Sequence, residues 1–386
     1  MNTQEWLSQL ISIDTTSYRS NLKLITLIQD WLNLHNIASH LTYDITQQKA
    51  NLFATIPATN DQMNNGLILS GHTDVVPVDG QDWESDPFQA KITHENIYGR
   101  GATDMKGFIA VVLALVPQFK KMSLAKPLHF AFSYDEEVGC KGVPLLIADM
   151  QKKNIHPSAC IVGEPTEMNM VVAHKGIQAF QCKVHGFAAH SSLTPLGCNA
   201  IQYAAQLINW IHHLSDHLKN KGPIDQHFDV PFTSMTVNTI TGGTAANIIP
   251  ALCEFIFEFR QLPAVNPQDI ILQIKNYINT DLVKIMQRSY SEATIDFNTL
   301  ASAPAFEAAE NATITQLMRK ILKDQTKRKV SYATEAGLFQ NAHIPTVLCG
   351  PGNIREAHRA NEFVSIAQLK TCETFLLQLV EQFMQI

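Results

Sequence analysis

The chain has 386 residues, 45% of them hydrophobic and 17% charged, with a formal net charge of −6. That length exceeds one ordinary core, so two domains are expected, and the composition is that of a soluble globular protein. The negative balance supplies no basic field for phosphate backbones, which argues against nucleic acid as a partner.

The N-terminus lacks a basic stretch followed by an apolar core and does not read as a signal peptide. The longest apolar run, Phe108 to Val116, is about nine residues. A bilayer requires about 20, so no membrane partner is expected. The seven cysteines are scattered, odd in number and never spaced C-x-x-C. They read as reduced thiols in a cytoplasmic protein, and not as a disulfide framework or a zinc knuckle.

Helical periodicity marks residues 3–13, with Trp6, Leu7, Leu10 and Ile11 on one face, and residues 20–35. Strands are predicted at 51–56, 66–71, 127–133 and 158–162, with a strong helix over 105–120 and a weaker one over 143–152. This alternation is the α/β signature, and such sheets bind ligands outside the carboxyl ends of their strands. Beyond residue 170 the order becomes strand 176–187, helix 198–218, strands 233–240 and 250–259, helix 268–280 and strand 292–299. That β-α-β-β-α-β order is ferredoxin-like. It contains no candidate metal ligand and reads as an insertion. The expectation is therefore an α/β domain, 1–172 and 298–386, carrying an inserted α+β domain, 173–297, with helix 364–385 closing the chain.

Chemistry gathers at the predicted strand ends. The run GLILSGHTDVVP (66–77) ends a buried strand on His72 and Asp74. A carboxylate so close can accept the free ring N–H and fix the imidazole as a metal ligand. Asp104 follows GRGAT, Glu136 and Glu137 follow LHFAFSY, Glu164 follows ACIVG, and His358 follows PGNIREA. Mixed imidazole and carboxylate donors suit zinc, cobalt or manganese, and this set is large enough for two ions if one carboxylate bridges. Of two adjacent glutamates, one can bind metal while the other stays free as a base.

Several features take plainer readings. His212, His213 and His217 lie on a predicted helix without a carboxylate partner set and read as a solvated face. GRGATDMKG lacks the G-x-x-x-x-G-K-[ST] order of a phosphate loop. Gly242-Gly243 reads as a turn, and Tyr98 and Trp83 as packing. Asp104 has a second reading, as the N-cap of helix 105–120.

The segments SGHTDVVPV, GRGATDMKG, YDEEVGCKG, IVGEPTEM and GPGNIREAHRANE, in this order and spacing, resemble the dinuclear metal aminoacylase and carboxypeptidase family. The resemblance extends through HGFAAHSS, TGGTAANIIP and FEFRQLP of the insertion, and so covers nearly the whole chain. It implies a zinc-peptidase-like catalytic domain with a central mixed sheet, plus an inserted lid and dimerisation domain. It implies His72, Glu137, Glu164 and His358 as terminal ligands of two divalent ions, with Asp104 bridging them and Asp74 orienting His72. Glu136 would be the general base toward the metal-bridging water. A cis peptide would follow the bridging aspartate, at Asp104–Met105. His190 would hydrogen-bond the oxyanion, in homodimeric relatives from the partner subunit, while Asn247 and Arg260 would contact substrate.

The stretches EEVGCKG, VVAHKG and TEAGLF look most like the family's acetylornithine deacetylase branch. This implies release of acetate from N2-acetyl-L-ornithine, a step of arginine biosynthesis, with Glu335 pairing the side-chain ammonium. The alternatives are a succinyl-diaminopimelate desuccinylase, a general N-acylamino-acid deacylase or dipeptidase, and a non-catalytic homologue.

Overall fold

The structure, a computed structural model, describes residues 1–385. The chain divides into two compact units, Met1–Ala173 with Phe306–Arg328 and Thr334–Ile386, and His174–Ala305 with Lys329–Ala333.

In the first unit a mixed sheet runs in the order Ser39–Tyr43, Ala50–Ile56, Leu128–Ser133, Leu67–His72, Ala159–Val162, Thr346–Leu348, Val171–His174 and Phe306–Glu307. Four neighbours in its centre, from Leu128–Ser133 to Thr346–Leu348, are parallel. Every residue of these four strands is buried. Burial on both faces explains why they read as continuous apolar runs without alternation. Because they are parallel, their carboxyl ends emerge along one edge. His72 closes one strand, Glu136 and Glu137 follow the second, and Glu164 follows the third.

The N-terminal helix Thr3–Ile11 is set by a capping box: Asn2 accepts the Glu5 N–H at 3.0 Å, and the Glu5 carboxylate receives the Asn2 N–H at 2.9 Å. Its buried face, Trp6, Leu7, Leu10 and Ile11, packs on helix Gly107–Phe119. That second helix is buried almost all round. The stretch Ala102–Phe119 is apolar and long enough to cross a membrane by composition alone, but 83% of it lies inside the domain, as expected of a core helix. Regular helix begins at Gly107 and not at 105. Asp104 (φ −122°, ψ 90°) and Met105 (φ −133°, ψ 35°) are non-helical, and the peptide joining them is cis. Asp104 is therefore not the N-cap of this helix. Its carboxylate points at two histidines instead.

In the second unit a four-stranded antiparallel sheet has the order Ser234–Gly242, Leu252–Arg260, Ile177–His185, Thr294–Ala303. With helix Ala200–Lys221 and the helical stretch from Pro267 to Ser289, this is the ferredoxin-like arrangement. Strand Ile177–His185 alternates strictly between buried and half-buried residues. Its buried set joins Phe255, Phe257, Phe259, Leu207 and Ile274 in a separate core. The last strand pairs with Ile177–His185 as far as Ala303, so residues 298–305 belong to the insertion and not to the first domain.

Candidate metal centre

Asp104 stands between two histidines. Its Oδ1 lies 3.0 Å from His72 Nε2 and its Oδ2 lies 3.1 Å from His358 Nε2. Two ligand clusters share it: His72, Asp104 and Glu164, and Asp104, Glu137 and His358, each with donor atoms within 4.8 Å of one another. His358 Nε2 is also 3.0 Å from Glu137 Oε2. All five ligand candidates read from the sequence thus meet at one edge of the sheet. His358 is brought there by a loop in which it adopts φ +62°, the left-handed region.

His72 Nδ1 faces the main-chain carbonyl of Asp74 at 3.0 Å. A carbonyl only accepts, so Nδ1 carries a proton, and Nε2 is the ring nitrogen left to face Asp104. The sequence suggests that the Asp74 carboxylate holds the ring, but that carboxylate is 3.7 Å away. It is engaged elsewhere, accepting the N–H of Glu136 at 3.0 Å, the N–H of Glu137 at 3.2 Å and the Ser17 hydroxyl at 2.8 Å. Asp74 therefore orients His72 with its backbone and the glutamate pair with its side chain.

The site crowds buried carboxyl groups against two imidazoles. Burial pushes Glu136 and Glu164 well above the usual carboxylate range; neighbouring carboxylates add to this and His72 opposes it. Burial and the Asp104 charge take Glu137 up to about 7. Burial opposes a charged His72, but its hydrogen bond to Asp104 and the surrounding carboxylates win and raise its pKa well above the usual value. Hydrogen bonds to Asp104 and Glu137 lift His358 to about 11. Four acids packed this closely with two imidazoles form a site built for positive charge, and the mixed nitrogen and oxygen donors fit zinc, cobalt or manganese. The donor set fits two ions with Asp104 between them.

Glu136 belongs to neither ligand cluster. It sits beside them, accepting a weak hydrogen bond from Cys140 Sγ at 3.4 Å. Glu335 is buried in the same unit, where burial pushes its carboxyl up to about 7 against the neighbouring Ser133 and Ser70 hydroxyls. Neither of its oxygens, nor either of those hydroxyls, has a well-formed hydrogen bond.

His190, Asn247 and Arg260 lie on the second unit. His190 Nδ1 is 2.7 Å from Ser192 Oγ, the Asn247 carbonyl accepts the Ser191 N–H at 2.9 Å, and Arg260 Nε pairs with Glu258 at 3.0 Å. His212 lies 3.5 Å from Asp216 on an exposed helix face, with its ring beside that of His213. Trp83 lies under the Arg100 guanidinium, and Tyr98 packs on Phe363.

Two residues around the centre escape a reading of the sequence: Arg100 and Glu362, a buried ion pair at 2.7 Å. Both lie within segments already singled out, GRGATD and HRANE. An acid four residues beyond His358 and a cation four before Asp104 were the available signals.

The sequence profile of Peptidase family M20/M25/M40 matches residues 68–382. An acetylornithine deacetylase of Pasteurella multocida is 33% identical over 373 residues, covering 96% of this chain and 94% of that one. An acetylornithine deacetylase of Shigella sonnei is 31% identical over 95% of this chain and 92% of its own. Among solved structures, a metallo-carboxypeptidase of Sulfolobus solfataricus superposes with a TM-score of 0.77 at 18% identity, with all of both chains covered. A dinuclear metal-binding peptidase of Bacillus subtilis superposes with a TM-score of 0.67 at 16% identity, covering 99% of this chain and 98% of that one. The chain belongs to peptidase family M20/M25/M40, metal-dependent hydrolases of amide bonds.

Proposed function

We propose that the protein is a cytoplasmic deacetylase that hydrolyses N2-acetyl-L-ornithine to L-ornithine and acetate, within arginine biosynthesis. The observation that carries the hydrolytic part is Asp104, with one carboxylate oxygen on each of two histidines and Glu136 beside them without a ligand's place. The near-full-length likeness to acetylornithine deacetylases supports the substrate.

His72, Glu164, Glu137 and His358, with Asp104 shared, would hold two divalent ions, zinc foremost with cobalt or manganese as alternatives; when bound, these supply Lewis acidity toward the acyl carbonyl and toward water. Glu136 takes the proton of the attacking water and delivers it to the leaving amine. Its burial, which favours the neutral form, suits a group that must give the proton back. His190 donates to the oxyanion. Asn247 contacts the substrate, and Arg260 holds its carboxylate, releasing Glu258 to do so.

Glu335 supports a basic side chain on the substrate. A buried carboxylate with only poorly placed hydroxyls beside it is costly, and an ammonium carries three donors, enough for Glu335, Ser70 and Ser133 together. Glu335→Gln should lower kcat/KM on acetylornithine relative to uncharged N-acetylnorleucine by about 10–100-fold, the worth of a charge-assisted hydrogen bond. An unchanged ratio would remove this role.

Assembly as a homodimer through the inserted unit is part of the same proposal. The outer side of strand Ser234–Gly242 pairs with nothing among the described residues, and Ile240 on it is exposed.

The deciding experiment assays metal-depleted protein, with zinc or cobalt restored, on acetylornithine, succinyl-diaminopimelate, other N-acylamino acids and dipeptides. Acetylornithine should be turned over best, and only with metal. Preference for any other member of the panel reassigns the substrate. Activity independent of metal, or no activity on any member, overturns the reading.

A further inference from the structure

Glu362 makes no hydrogen bond to a candidate ligand side chain, yet it is joined to the two loops that carry Asp104 and His358. It is about 1% exposed, and four donors fill its two oxygens. Oε1 accepts the main-chain N–H of Thr103 at 2.9 Å and of Asp104 itself at 3.1 Å. Oε2 accepts the main-chain N–H of Gly101 at 3.0 Å and Nη1 of Arg100 at 2.7 Å. The backbone of Glu362 adds a further tie, its carbonyl accepting the Gly99 N–H at 2.9 Å. The stretch 99–104, which precedes the regular helix at Gly107, thus has three of its main-chain N–H groups on one carboxylate.

The same carboxylate reaches His358 by another route. Arg100, locked by Glu362, donates from Nη2 to Gln81 Oε1 at 2.5 Å and from Nη1 to the Arg359 carbonyl at 3.3 Å. Gln81 in turn donates from Nε2 to the main-chain carbonyl of His358 at 2.9 Å. This hold bears on a histidine whose φ of +62° is unfavourable for a side chain with a Cβ, so the conformation needs outside support. One buried acid therefore governs the backbone of Asp104 directly and that of His358 through Arg100 and Gln81.

We infer that Glu362 is a positioning residue that sets the separation of Asp104 and His358, and so the affinity of the metal held between them and Glu137. The inference rests on the dinuclear reading given above. A buried ion pair kept for stability alone would need one partner for Glu362. Three amide donors from one ligand-bearing loop, those of Gly101, Thr103 and Asp104, are what positioning requires, because they fix a backbone path. Supports one step removed from a metal typically tune its affinity about 10–100-fold.

The test is calorimetric titration of zinc and of cobalt into metal-free protein, with the visible absorption of the cobalt form as a second readout. Wild type should take up two ions per chain. Uptake of fewer than two by wild type defeats the dinuclear reading itself. In Glu362→Gln the amide NH2 must face either the Thr103 and Asp104 N–H groups or those of Gly101 and Arg100, so one side of the clasp opens. The weaker of the two binding events should weaken by about 10–100-fold, with an altered cobalt spectrum. Glu362→Asp, which keeps the charge, should recover part of the loss. Gln81→Ala is the gentler variant, since it removes the His358 branch, together with the Trp83 indole N–H bond to Gln81, and leaves the buried pair intact. It should weaken the same binding event while leaving the melting temperature near that of wild type, and it decides the matter if Glu362→Gln does not fold. Two wild-type affinities and an unchanged cobalt spectrum in Gln81→Ala and in folded Glu362→Gln would overturn the inference.

Discussion

The carboxylate of Asp74 accepts the main-chain N–H of Glu136 at 3.0 Å, and its other oxygen takes that of Glu137 at 3.2 Å. The acid beside the first histidine is therefore a brace for the turn that carries the proposed base. In Asp74→Asn an amide NH2 must oppose one of these N–H groups or the Ser17 hydroxyl. The turn should shift while His72, held by the residue-74 carbonyl, keeps its ring orientation. The expected outcome is a kcat lowered by about 100-fold or more, with zinc content near two per chain. Equal loss of metal and kcat, read by metal analysis alongside kinetics, would return Asp74 to a role on His72 alone.

Glu136→Gln separates base from ligand. The substitution keeps the shape and removes the proton acceptor, so kcat should fall by about 10²–10⁴-fold. Metal stoichiometry should stay at the wild-type value. Loss of an ion in this variant would mean that Glu136 is a ligand after all.

His129 predicts acid sensitivity far from the chemistry. It is buried in strand Leu128–Ser133 with Nδ1 2.8 Å from Thr55 Oγ1, and burial pulls its pKa from 6.5 down to about 3. Between those values the unfolded chain binds the extra proton. The contribution is full above pH 6.5 and is lost as pH falls toward 3. The slope approaches about 1.4 kcal/mol per pH unit. Urea unfolding from pH 4 to 7 should show a flatter dependence in His129→Gln than in wild type. Identical slopes would show that the buried imidazole does not titrate as its burial implies.

Gly163 is a close approach between strand and helix. A Cβ there would stand 2.0 Å from the ring of Phe108. Gly163→Ala should cost roughly 1–3 kcal/mol by overpacking and, because residue 164 follows directly, should weaken metal binding. Phe108→Ala in the same chain should relieve part of the cost. Strict additivity of the two changes in thermal melts would rule out this contact as the cause.

These relationships also mark what the sequence could express. Buried parallel strands write themselves as apolar runs, so the residues following Leu67–His72, Leu128–Ser133 and Ala159–Val162 could be read as the rim of a site. Strand Ser39–Tyr43 could not, because it lies at the sheet edge, half-exposed and without alternation. The regular helix begins later than the apolar pattern suggests, because Asp104 and Met105 leave helical geometry where the Asp104 carboxylate meets His72 and His358 and its N–H meets Glu362. The braces were illegible for a plainer reason. Asp74 meets Glu136 62 residues away and Glu362 meets Asp104 258 residues away, through main-chain N–H groups that every residue possesses. A carboxylate that binds backbone leaves no partner letter in the sequence to find.

The seven cysteines have a use that their chemistry alone would not suggest. All are free and buried. Burial pushes Cys182 and Cys349 up to about 12, where almost no thiolate exists at neutral pH. The folded protein should be silent to alkylating reagents, so each modification records an opening event. Cys182, Cys198 and Cys253 report on the inserted unit, and Cys140, Cys160, Cys349 and Cys372 on the metal-bearing one. Mass-resolved alkylation would time the loosening of each unit separately, with and without metal, using the clock that the chain already carries.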